Sequence, residues 1–366
     1  MKIVLAVPRF AHGGPAKVYR ELSRWLHAHG HTVHVAMDAR TGEPVEAGEG
    51  IVVHRLRARG PQLLGKYPVF PMWQLLRAER PHIVMGSLHM VRTIALIRPF
   101  LPRGIVTVAR PANFPRAEAA HSNRRRLRRR IHFRLEARVE RRLHAVVAQT
   151  PIIAADVRAR GFRGPMEVIG NPAAPPSSTG EAISPLVGDP KILYVGRLAR
   201  PKGVDLLLAA HAEVLAHLPH AHLHLVGEGR ARARLTALAE ELGISHAVTF
   251  HGHSTNVRAY METADLMVSP SRFEGFTNTI PEAQCLGLPV VATDCPGAAA
   301  DVLDSTHGGV VVESENPTAI AHGIRDVVSR LHTFDPADIV ARAEATWGID
   351  VIGARYEAFF RQLTRG

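Results

Sequence analysis

The sequence has few of the features that mark secreted or membrane-spanning proteins. Among 366 residues, only Cys285 and Cys295 are cysteines, which excludes a disulfide framework and a four-cysteine zinc site. The longest apolar runs, such as residues 94–101, are much shorter than the roughly 18–20 residues of a membrane-spanning helix. The N-terminal apolar stretch is followed at once by Arg9, so it predicts a first strand rather than a signal peptide. We therefore expect a cytoplasmic protein with reduced thiols.

The length and the apolar content predict two folded domains. A chain of 366 residues is long for one hydrophobic core, and 46% apolar residues can fill two. A stretch rich in Pro, Gly and Ser near residues 170–190 has no periodicity and is the best linker candidate. We predict domains over residues 1–170 and 171–345, and a final helix over 346–366 that crosses back to the first domain.

Short apolar strands alternate with helical patterns on both sides of this linker, which is typical of doubly wound parallel sheets. Ligands of such sheets bind at the carboxyl ends of the strands, so we expect a site in a cleft between the domains. The predicted strands lie at residues 2–7, 30–37, 82–87, 104–109, 145–150, 191–196, 221–227, 248–252, 266–271, 289–294 and 308–312.

Two glutamates stand out in the stretch SRFEGFTNTIPEAQCLGLPVVAT at residues 271–293. Glu282 alone is explained by a capping box with Thr279 at the start of a helix. That interpretation leaves Glu274 and Gly275, in the preceding loop, unexplained. A loop carboxylate, a glycine that lets the backbone approach a ligand and a helix N-terminus together suit a polyol joined to a phosphate.

A second group of candidate residues lies in YVGRLARPKGVDLL, at residues 194–207. Arg197 and Lys202 fall between a predicted strand end and Gly203, which opens the next helix. Arginine as a fork and lysine as a point charge suit a diphosphate. Taken alone, this short pattern is more often a solvated surface loop.

These stretches together resemble the retaining, nucleotide-sugar-dependent glycosyltransferases of family 4, which have the GT-B fold. The resemblance covers residues 191–360 through GRLARPKG, LHLVGEGRARARL, VTFHGH, ADLMVSPSRFEGFTNTIPEAQCLGLPVVATDCPG and WGIDVIGARYEAFF, in the family's order. The first half matches more loosely, through a glycine pair, GHTVHVA, QTPIIAADVRARGF and IGNP. The resemblance implies an α/β fold of two tandem Rossmann-like domains that face a cleft.

The resemblance also implies roles for single residues. Arg197 and Lys202 would hold the donor diphosphate and neutralise the leaving group, and Glu274 would lie beside the donor sugar as the third catalytic residue. Glu282 would bind the ribose hydroxyls. The other implied donor-binding positions are Gly13, Gly14, His251, Gly275, Phe276, Thr277 and Asn278.

The sequence contains no D-x-D stretch to carry a metal, and the two cations could take its place. We expect metal-independent transfer without a cofactor. The family often has a histidine in the first domain that faces the donor sugar. In this chain His89, Arg110 and Asn113 are alternatives for that position, and the sequence does not decide between them.

An arginine-rich segment, residues 124–142, carries net +8 of the chain's +12. Apolar residues recur in it every four positions, which predicts an amphipathic basic helix. It suits a solvated helix, an anionic membrane or lipid diphosphate, or nucleic acid. The family resemblance favours the lipid, and nucleic acid is not expected. The candidate lipid contacts are Arg116, Arg124, Arg125, Arg128 and Arg129.

The sequence therefore predicts a transferase that moves a sugar from a nucleotide-sugar donor, UDP-linked by preference, to a glycan acceptor. We expect a lipid-linked acceptor and a protein that is peripheral on the inner face of the cell membrane. Two alternatives remain at this stage. One is a GT-B-type sugar-nucleotide epimerase, and the other is an RNA-binding or scaffold protein that uses the arginine-rich helix on an inactive fold.

Overall fold

The computed structural model describes residues 1–10, 14–39, 47–57, 67–111, 138–139, 141–295, 302–303 and 306–365. The chain forms two compact units. Unit 1 comprises Met1–Pro172 and Ile349–Gly366, and unit 2 comprises Ala173–Gly348. Within the described residues, no helix combines the length and apolar character needed to cross a membrane.

Unit 1 contains a parallel sheet of seven strands with helices packed against it. The strands are β1 (Lys2–Val7), β2 (Thr32–Asp38), β3 (Val52–Leu56), β4 (Ile83–Ser87), β5 (Val106–Arg110), β6 (Ala145–Ala148) and β7 (Met166–Val168). The helices are α1 (Gly14–Ala28), α2 (Val69–Glu79), α3 (His89–Ile97), α4 (Pro151–Ala159) and α11 (Ile349–Arg365). The strand order is β3-β2-β1-β4-β5-β6-β7.

The sequence prediction missed the two edge strands of this sheet. The inner strands are mostly buried runs rich in Val, Ile, Leu and Ala, and each was predicted. The edge strand β3, VVHRL, has two exposed, two half-buried and one buried position, and β7 has only three half-buried residues. Edge strands bury less apolar surface, so their sequences carry a weaker signal.

Unit 2 contains a second parallel sheet, of six strands. The strands are β8 (Lys191–Val195), β9 (His222–Val226), β10 (Val248–Gly252), β11 (Leu266–Ser269), β12 (Val290–Asp294) and β13 (Gly309–Glu313). The helices are α5 (Val204–Leu215), α6 (Arg232–Glu241), α7 (Val257–Thr263), α8 (Thr279–Gln284), α9 (Pro317–Ser329) and α10 (Pro336–Trp347). The order β10-β9-β8-β11-β12-β13 places β8 and β11 side by side in the middle of the sheet.

The segment interpreted as a linker packs against unit 2. Leu186 is buried in a core cluster of that unit together with residues of β8, β11 and β12. The Glu181 carboxylate accepts a hydrogen bond from the Thr255 hydroxyl, and the Glu181 carbonyl accepts one from Asn256 Nδ2 at 2.6 Å. The segment is irregular because of its Pro, Gly and Ser content, yet its contacts make it part of unit 2.

Helix α11 completes unit 1 by packing against α1. The indole Nε1 of Trp25 donates to Asp350 Oδ1 at 2.7 Å, and His31 Nε2 lies 3.0 Å from Glu357 Oε1. Gly353 lies directly against the indole, and a Cβ at this position would come within 2.3 Å of Trp25. The close approach of the two helices therefore depends on this glycine.

Candidate functional site

An ion pair joins two loops at the carboxyl edge of the unit 2 sheet. Lys202 ends a short 3-10 turn that follows β8, and Glu274 lies in the loop that follows β11. Because β8 and β11 are parallel neighbours, both loops leave the same edge. Lys202 Nζ donates to Glu274 Oε1, and the side chains are 21% and 13% exposed. Ser271 Oγ donates to the same oxygen at 2.9 Å, so two donors fix this carboxylate.

Gly203 lets the two loops approach each other. Its φ is +66°, in the left-handed region that glycine adopts without strain. A Cβ at this position would lie 1.8 Å from the carbonyl oxygen of Pro270. No larger residue fits there without moving the backbone, so the glycine after Lys202 is required for the contact between the loops.

Arg272 holds the glutamate loop against the lysine loop. Its guanidinium forms two parallel hydrogen bonds with Asp205, at 2.7 and 3.0 Å, and a third with the Arg200 carbonyl at 3.0 Å. Its backbone N–H donates to the Pro201 carbonyl at 2.8 Å. Burial by itself would raise the pKa of the Asp205 carboxyl, but the hydrogen bonds and charge of Arg272 outweigh it and hold this pKa below its ordinary value.

Sequence reasoning did not single out Ser271, Arg272 or Asp205. The first two stand beside Glu274 in the motif, so their position was a signal that could have been used. Asp205 lies 67 residues away from Arg272 in the chain, and only the fold brings it to the guanidinium.

Two ionisable side chains near Glu274, those of Cys295 and Tyr194, are neutral near pH 7. Burial and the charge of Glu274 raise the pKa of the Cys295 thiol to about 12, although Lys202 opposes the shift. Burial and Glu274 also raise the pKa of Tyr194, whose hydroxyl donates to the Arg197 carbonyl at 3.0 Å. Arg197 is exposed and follows β8, so it adds a second cation to the edge that holds Lys202.

Glu282 and the residues before it form the start of α8. The predicted capping box is wrong, because Asn278 rather than Thr279 is the N-cap, and the Asn278 side chain makes no capping hydrogen bond. Asn278 already has helical dihedral angles, φ −70° and ψ −29°, so Thr279 falls inside the helix. Glu282 is partly exposed on the first turn, and its N–H donates to the Asn278 carbonyl at 3.1 Å.

The segment between the glutamates is anchored by its side chains. The ring of Phe276 meets the indole of Trp347 edge-on, with 5.5 Å between ring centroids. Thr277 is buried, and its hydroxyl lies 3.3 Å from that of Thr279. Gly275 is partly exposed. The donor contact that the resemblance implies for this segment would involve its backbone, since the Phe276 ring already has a partner.

His251 lies on β10 in a cluster of histidines. Its Nε2 is 3.0 Å from His224 Nδ1, and its Nδ1 is 3.4 Å from the Tyr260 hydroxyl. Burial, with a smaller contribution from His224, lowers the pKa of His251, so the ring is neutral at pH 7. The predicted contact with a nucleobase stays a prediction, and both ring nitrogens already have neighbours.

In unit 1, Arg110 is buried at the carboxyl end of β5. Its side chain is only 2% exposed. The guanidinium donates from Nε to the Tyr356 hydroxyl at 2.8 Å and from Nη2 to Asn171 Oδ1. It also lies over the Tyr19 ring, 6.0 Å from the centroid. Through these contacts Arg110 joins β5 to α11 and to the segment that ends at Pro172. Its side chain therefore stabilises the fold of unit 1.

His89 has a more accessible environment, at the first residue of α3. Its Nε2 lies 3.8 Å from a carboxylate oxygen of the buried Asp38, and its side chain is partly exposed. The preceding Leu88 has φ +52° and ψ −131°, a strained conformation for a residue other than glycine. Strain at the end of a central strand is typical of functional sites, so His89 is the stronger of the two described first-domain candidates.

Several predicted residues lie outside the described ranges. Gly14 is described only as the first residue of α1. From the arginine-rich segment, Val139 is described and packs against the core of unit 1. The predicted residues that lie outside the described part of the chain are Gly13, Asn113, Arg116, Arg124, Arg125, Arg128 and Arg129.

One group in the described part of the chain has metal-ligand spacing, and sequence reasoning did not find it. His34, His54 and Glu79 each offer a ligand atom, and these atoms lie within 4.8 Å of one another. It is remote in sequence from the ion pair and belongs to unit 1. Lys2 Nζ lies 3.1 Å from Glu79 Oε2, so a cation already occupies one side of this carboxylate.

Comparison with known families assigns both units. Residues 13–172 match the model of the glycosyl transferase 4-like domain, and residues 189–330 match that of glycosyl transferases group 1. Together the two matches span most of the chain. They do not favour the RNA-binding alternative or the epimerase.

Relatives with known names are similar over part of the chain. The lipopolysaccharide core biosynthesis glycosyltransferase LpsE of Rhizobium meliloti is 29% identical over 196 residues, which is 52% of this chain and 55% of LpsE. A Campylobacter jejuni enzyme, the N-acetylgalactosamine-N,N'-diacetylbacillosaminyl-diphospho-undecaprenol 4-alpha-N-acetylgalactosaminyltransferase, is 31% identical over 140 residues, 38% of each chain. The chain thus spans about a third to a half of the length of the curated relatives it matches.

Solved structures are similar over nearly the whole chain. Sucrose-phosphate synthase from Thermosynechococcus elongatus has a TM-score of 0.79 at 21% identity and covers 99% of this chain and 98% of its own. HepE from Anabaena, solved in complex with UDP-glucose, has a TM-score of 0.78 at 17% identity and covers 99% and 100%. At these identities the likeness establishes the fold. With the two domain matches, it shows that the chain belongs to the glycosyltransferases of GT-B fold.

Proposed function

We propose that this protein transfers a sugar from a nucleoside-diphosphate sugar to a lipid-linked glycan acceptor, with retention at the anomeric carbon and without a metal. UDP is the preferred nucleotide. The reaction would serve polysaccharide or glycolipid synthesis, at the inner face of the cell membrane.

The observation that carries this proposal is the contact between Lys202 and Glu274. A partly exposed lysine is held by a carboxylate at the carboxyl edge of a parallel sheet, where open α/β sheets bind ligands. A donor diphosphate would bring two negative charges to Lys202 and Arg197. Glu274 would then release Lys202, and its carboxylate would accept hydrogen bonds from sugar hydroxyls.

The proposed chemistry needs few protein groups. The bond from the anomeric carbon to the diphosphate oxygen breaks, and the acceptor oxygen attaches to the same face of the sugar. The departing phosphate oxygen takes the acceptor's proton, so the reaction balances without a protein base. What the protein supplies is stabilisation of the leaving diphosphate, which fixed cations provide without reorganising in the transition state.

Support for the substrates comes from the relatives. HepE is solved in complex with UDP-glucose, and its fold extends over the whole of this chain. The named Campylobacter enzyme acts on a diphospho-undecaprenol substrate, as its name states. We extend both properties to this protein as the substrate part of the proposal.

Two lysines near opposite ends of β8 provide a matched test. Lys191 begins β8 and lies 3.9 Å from Asp265, whereas Lys202 follows the other end of β8 and pairs with Glu274. We expect Lys202→Ala to weaken UDP binding about tenfold or more and to lower transfer at least about 100-fold. Lys191→Ala should behave as the parent protein.

The measurements are the UDP-dependent shift in unfolding temperature, with GDP as comparison, and UDP release from UDP-glucose in the presence of a bacterial lipid extract. Lys202→Ala with unchanged UDP binding and unchanged turnover would remove the assignment of this edge as the donor site.

A further inference from the structure

Unit 1 exposes an aromatic surface that its fold does not use. Phe70 on α2 is 59% exposed, and Phe100, in the 3-10 turn Arg98–Phe100 that follows α3, is 72% exposed. Leu96, one helical turn before Phe100, is exposed as well. Large apolar side chains grouped in this way are uncommon on surfaces that face only water.

Contacts link Phe70, Trp73 and Phe100 to one another. The rings of Phe70 and Trp73 stack with 5.7 Å between centroids, and Trp73 Nε1 donates to the Phe100 carbonyl at 3.1 Å. Helices α2 and α3 pack together beneath it. We call Phe70, Trp73, Leu96 and Phe100 the aromatic face.

The core of unit 1 uses Trp73 in part but does not include Phe70 or Phe100. From α2 the core takes the buried residues Met72, Leu75 and Leu76. Phe70 and Phe100 therefore leave most of their surface in water without a structural reason within unit 1.

Charge around the aromatic face is strongly positive. Residues 67–104 contain five arginines and one acidic residue, Glu79, which is already paired with Lys2 at 3.1 Å. The Arg77 guanidinium lies over the Trp73 ring, 5.2 Å from its centroid. The aromatic face therefore belongs to an arginine-rich stretch, and one of its rings carries an arginine, so its complement is an anionic partner with an apolar interior.

We propose that the aromatic face is a docking surface for an anionic lipid bilayer. Aromatic rings that stand among arginines are suited to the boundary between head groups and acyl chains, where the rings enter the apolar layer and the guanidinium groups meet phosphates. This inference rests on the proposed lipid-linked acceptor, because docking would bring unit 1 to the layer that holds such an acceptor.

A second copy of the chain is a poorer partner for this face. A symmetric contact between two copies would bring the same arginines together without carboxylates to oppose them, since Glu79 is the only acidic residue in that stretch. A bilayer rich in phosphatidylglycerol has the charge that a second copy lacks.

The experiment is co-flotation of the full chain with vesicles of phosphatidylcholine alone or with phosphatidylglycerol added. The parent should float with the anionic vesicles, and Phe70→Ser/Phe100→Ser should reduce the bound fraction about tenfold. Val187→Ser, which removes an exposed apolar side chain from unit 2, is the matched control and should float like the parent. Equal flotation of the double variant and the parent would overturn the proposal, as would a parent that does not float.

Two further readouts separate the remaining outcomes. Lipids with brominated acyl chains should quench the parent's tryptophan fluorescence, and Trp73→Phe should remove most of the quenching, because Trp73 lies in the aromatic face. A parent that sediments as a dimer, with a monomeric double variant and no flotation, would assign the face to a second copy instead. Flotation that depends on the face in a protein that binds no UDP would overturn the proposed activity and leave this inference standing.

Discussion

The carboxyl edges of the two sheets hold a cation in different ways. In unit 2, Lys202 is 21% exposed and is held by the carboxylate of Glu274. In unit 1, Arg110 is 2% exposed and is held by the neutral side chains of Tyr356 and Asn171. A charge that is partly in water and paired with a carboxylate can exchange that partner for a ligand, whereas a buried guanidinium between neutral groups is bound into the core.

The difference shows why the residue type and its place at a strand end do not establish a role. Arg110 ends a parallel strand and Lys202 lies in the loop after one, and the sequence marked both as candidates. Their environments differ. The exposure of a cation and the charge of its partner determine the free energy needed to separate the two. We therefore expect substitutions at the two positions to affect different properties.

The largest expected effect on stability is that of Arg110→Met. Removing the guanidinium leaves the Tyr356 hydroxyl and the Asn171 carbonyl group buried without their donor, which costs about 4 kcal/mol in the free energy of unfolding. Urea unfolding followed by tryptophan fluorescence measures it. Arg103→Met, at an exposed arginine, is the control and should change little.

UDP binding should survive in Arg110→Met at temperatures where the protein is folded. A variant of parental stability with a large loss of transfer would break the comparison and make Arg110 a catalytic residue. Tyr356→Phe removes one of the two contacts and should cost about 1 kcal/mol.

A pH dependence is expected next, and its largest contributions from single histidines lie in unit 2. Burial lowers the pKa of His211 to about 4, below the 6.5 of an exposed histidine. As the pH falls from 6.5 to 4, His211 binds a proton in the unfolded chain but not in the folded chain. The free energy of unfolding therefore decreases by about 3 kcal/mol over that range. Above pH 6.5 this contribution is fully present.

Thiol labelling follows this loss in unit 2, because Cys285 and Cys295 are both buried there. Labelling after an acid pulse should rise as the pH falls through the range. His211→Gln should reduce the dependence without abolishing it, because burial lowers the pKa of His222 to about 4 as well. A parent whose labelling is constant between pH 6.5 and 4 would contradict the assignment.

Glu274→Gln sharpens the comparison at the Lys202 edge. The neutral amide cannot form an ion pair with Lys202, so the lysine becomes available to a diphosphate. The affinity for UDP should therefore stay equal or increase slightly. Transfer should fall about 100-fold if the carboxylate contacts the sugar in the transition state. Isothermal titration with UDP and turnover of UDP-glucose measure the two effects. Parallel loss of both would mean that Glu274 only supports the loop.

The smallest expected effect is that of Arg272→Lys. A lysine keeps the charge beside Asp205 but cannot form the two parallel hydrogen bonds, so the loss is about 1 kcal/mol. The loop that carries Glu274 would then be less firmly held, and UDP affinity should fall a few-fold. Arg258→Lys, at an exposed pair with Glu262, is the matched control.

Much of the fold was predictable from short-range pattern. Each inner strand is a mostly buried run rich in aliphatic residues, and these positions were found. The edge strand β3 was missed because His54 and Arg55 interrupt its apolar residues, and β7 was missed because three half-buried residues give little signal. The capping box failed at Thr279 since the helix begins one residue earlier than the motif suggests.

The site was predictable in part, and through the family resemblance rather than through spacing. Lys202 and Glu274 are 72 residues apart, and no local pattern joins them. The bond between Arg110 and Tyr356 spans 246 residues, so sequence reasoning could not show that this arginine is enclosed. Contacts of such separation depend on the packing of the whole unit.

Helix α11 has a consequence for the order in which the protein is made. Unit 2 is one uninterrupted stretch, Ala173–Gly348, whereas unit 1 needs Ile349–Gly366 in addition. The unit whose chain is translated first therefore stays incomplete until the last helix has been made, because only then are the partners of Trp25, His31 and Arg110 present.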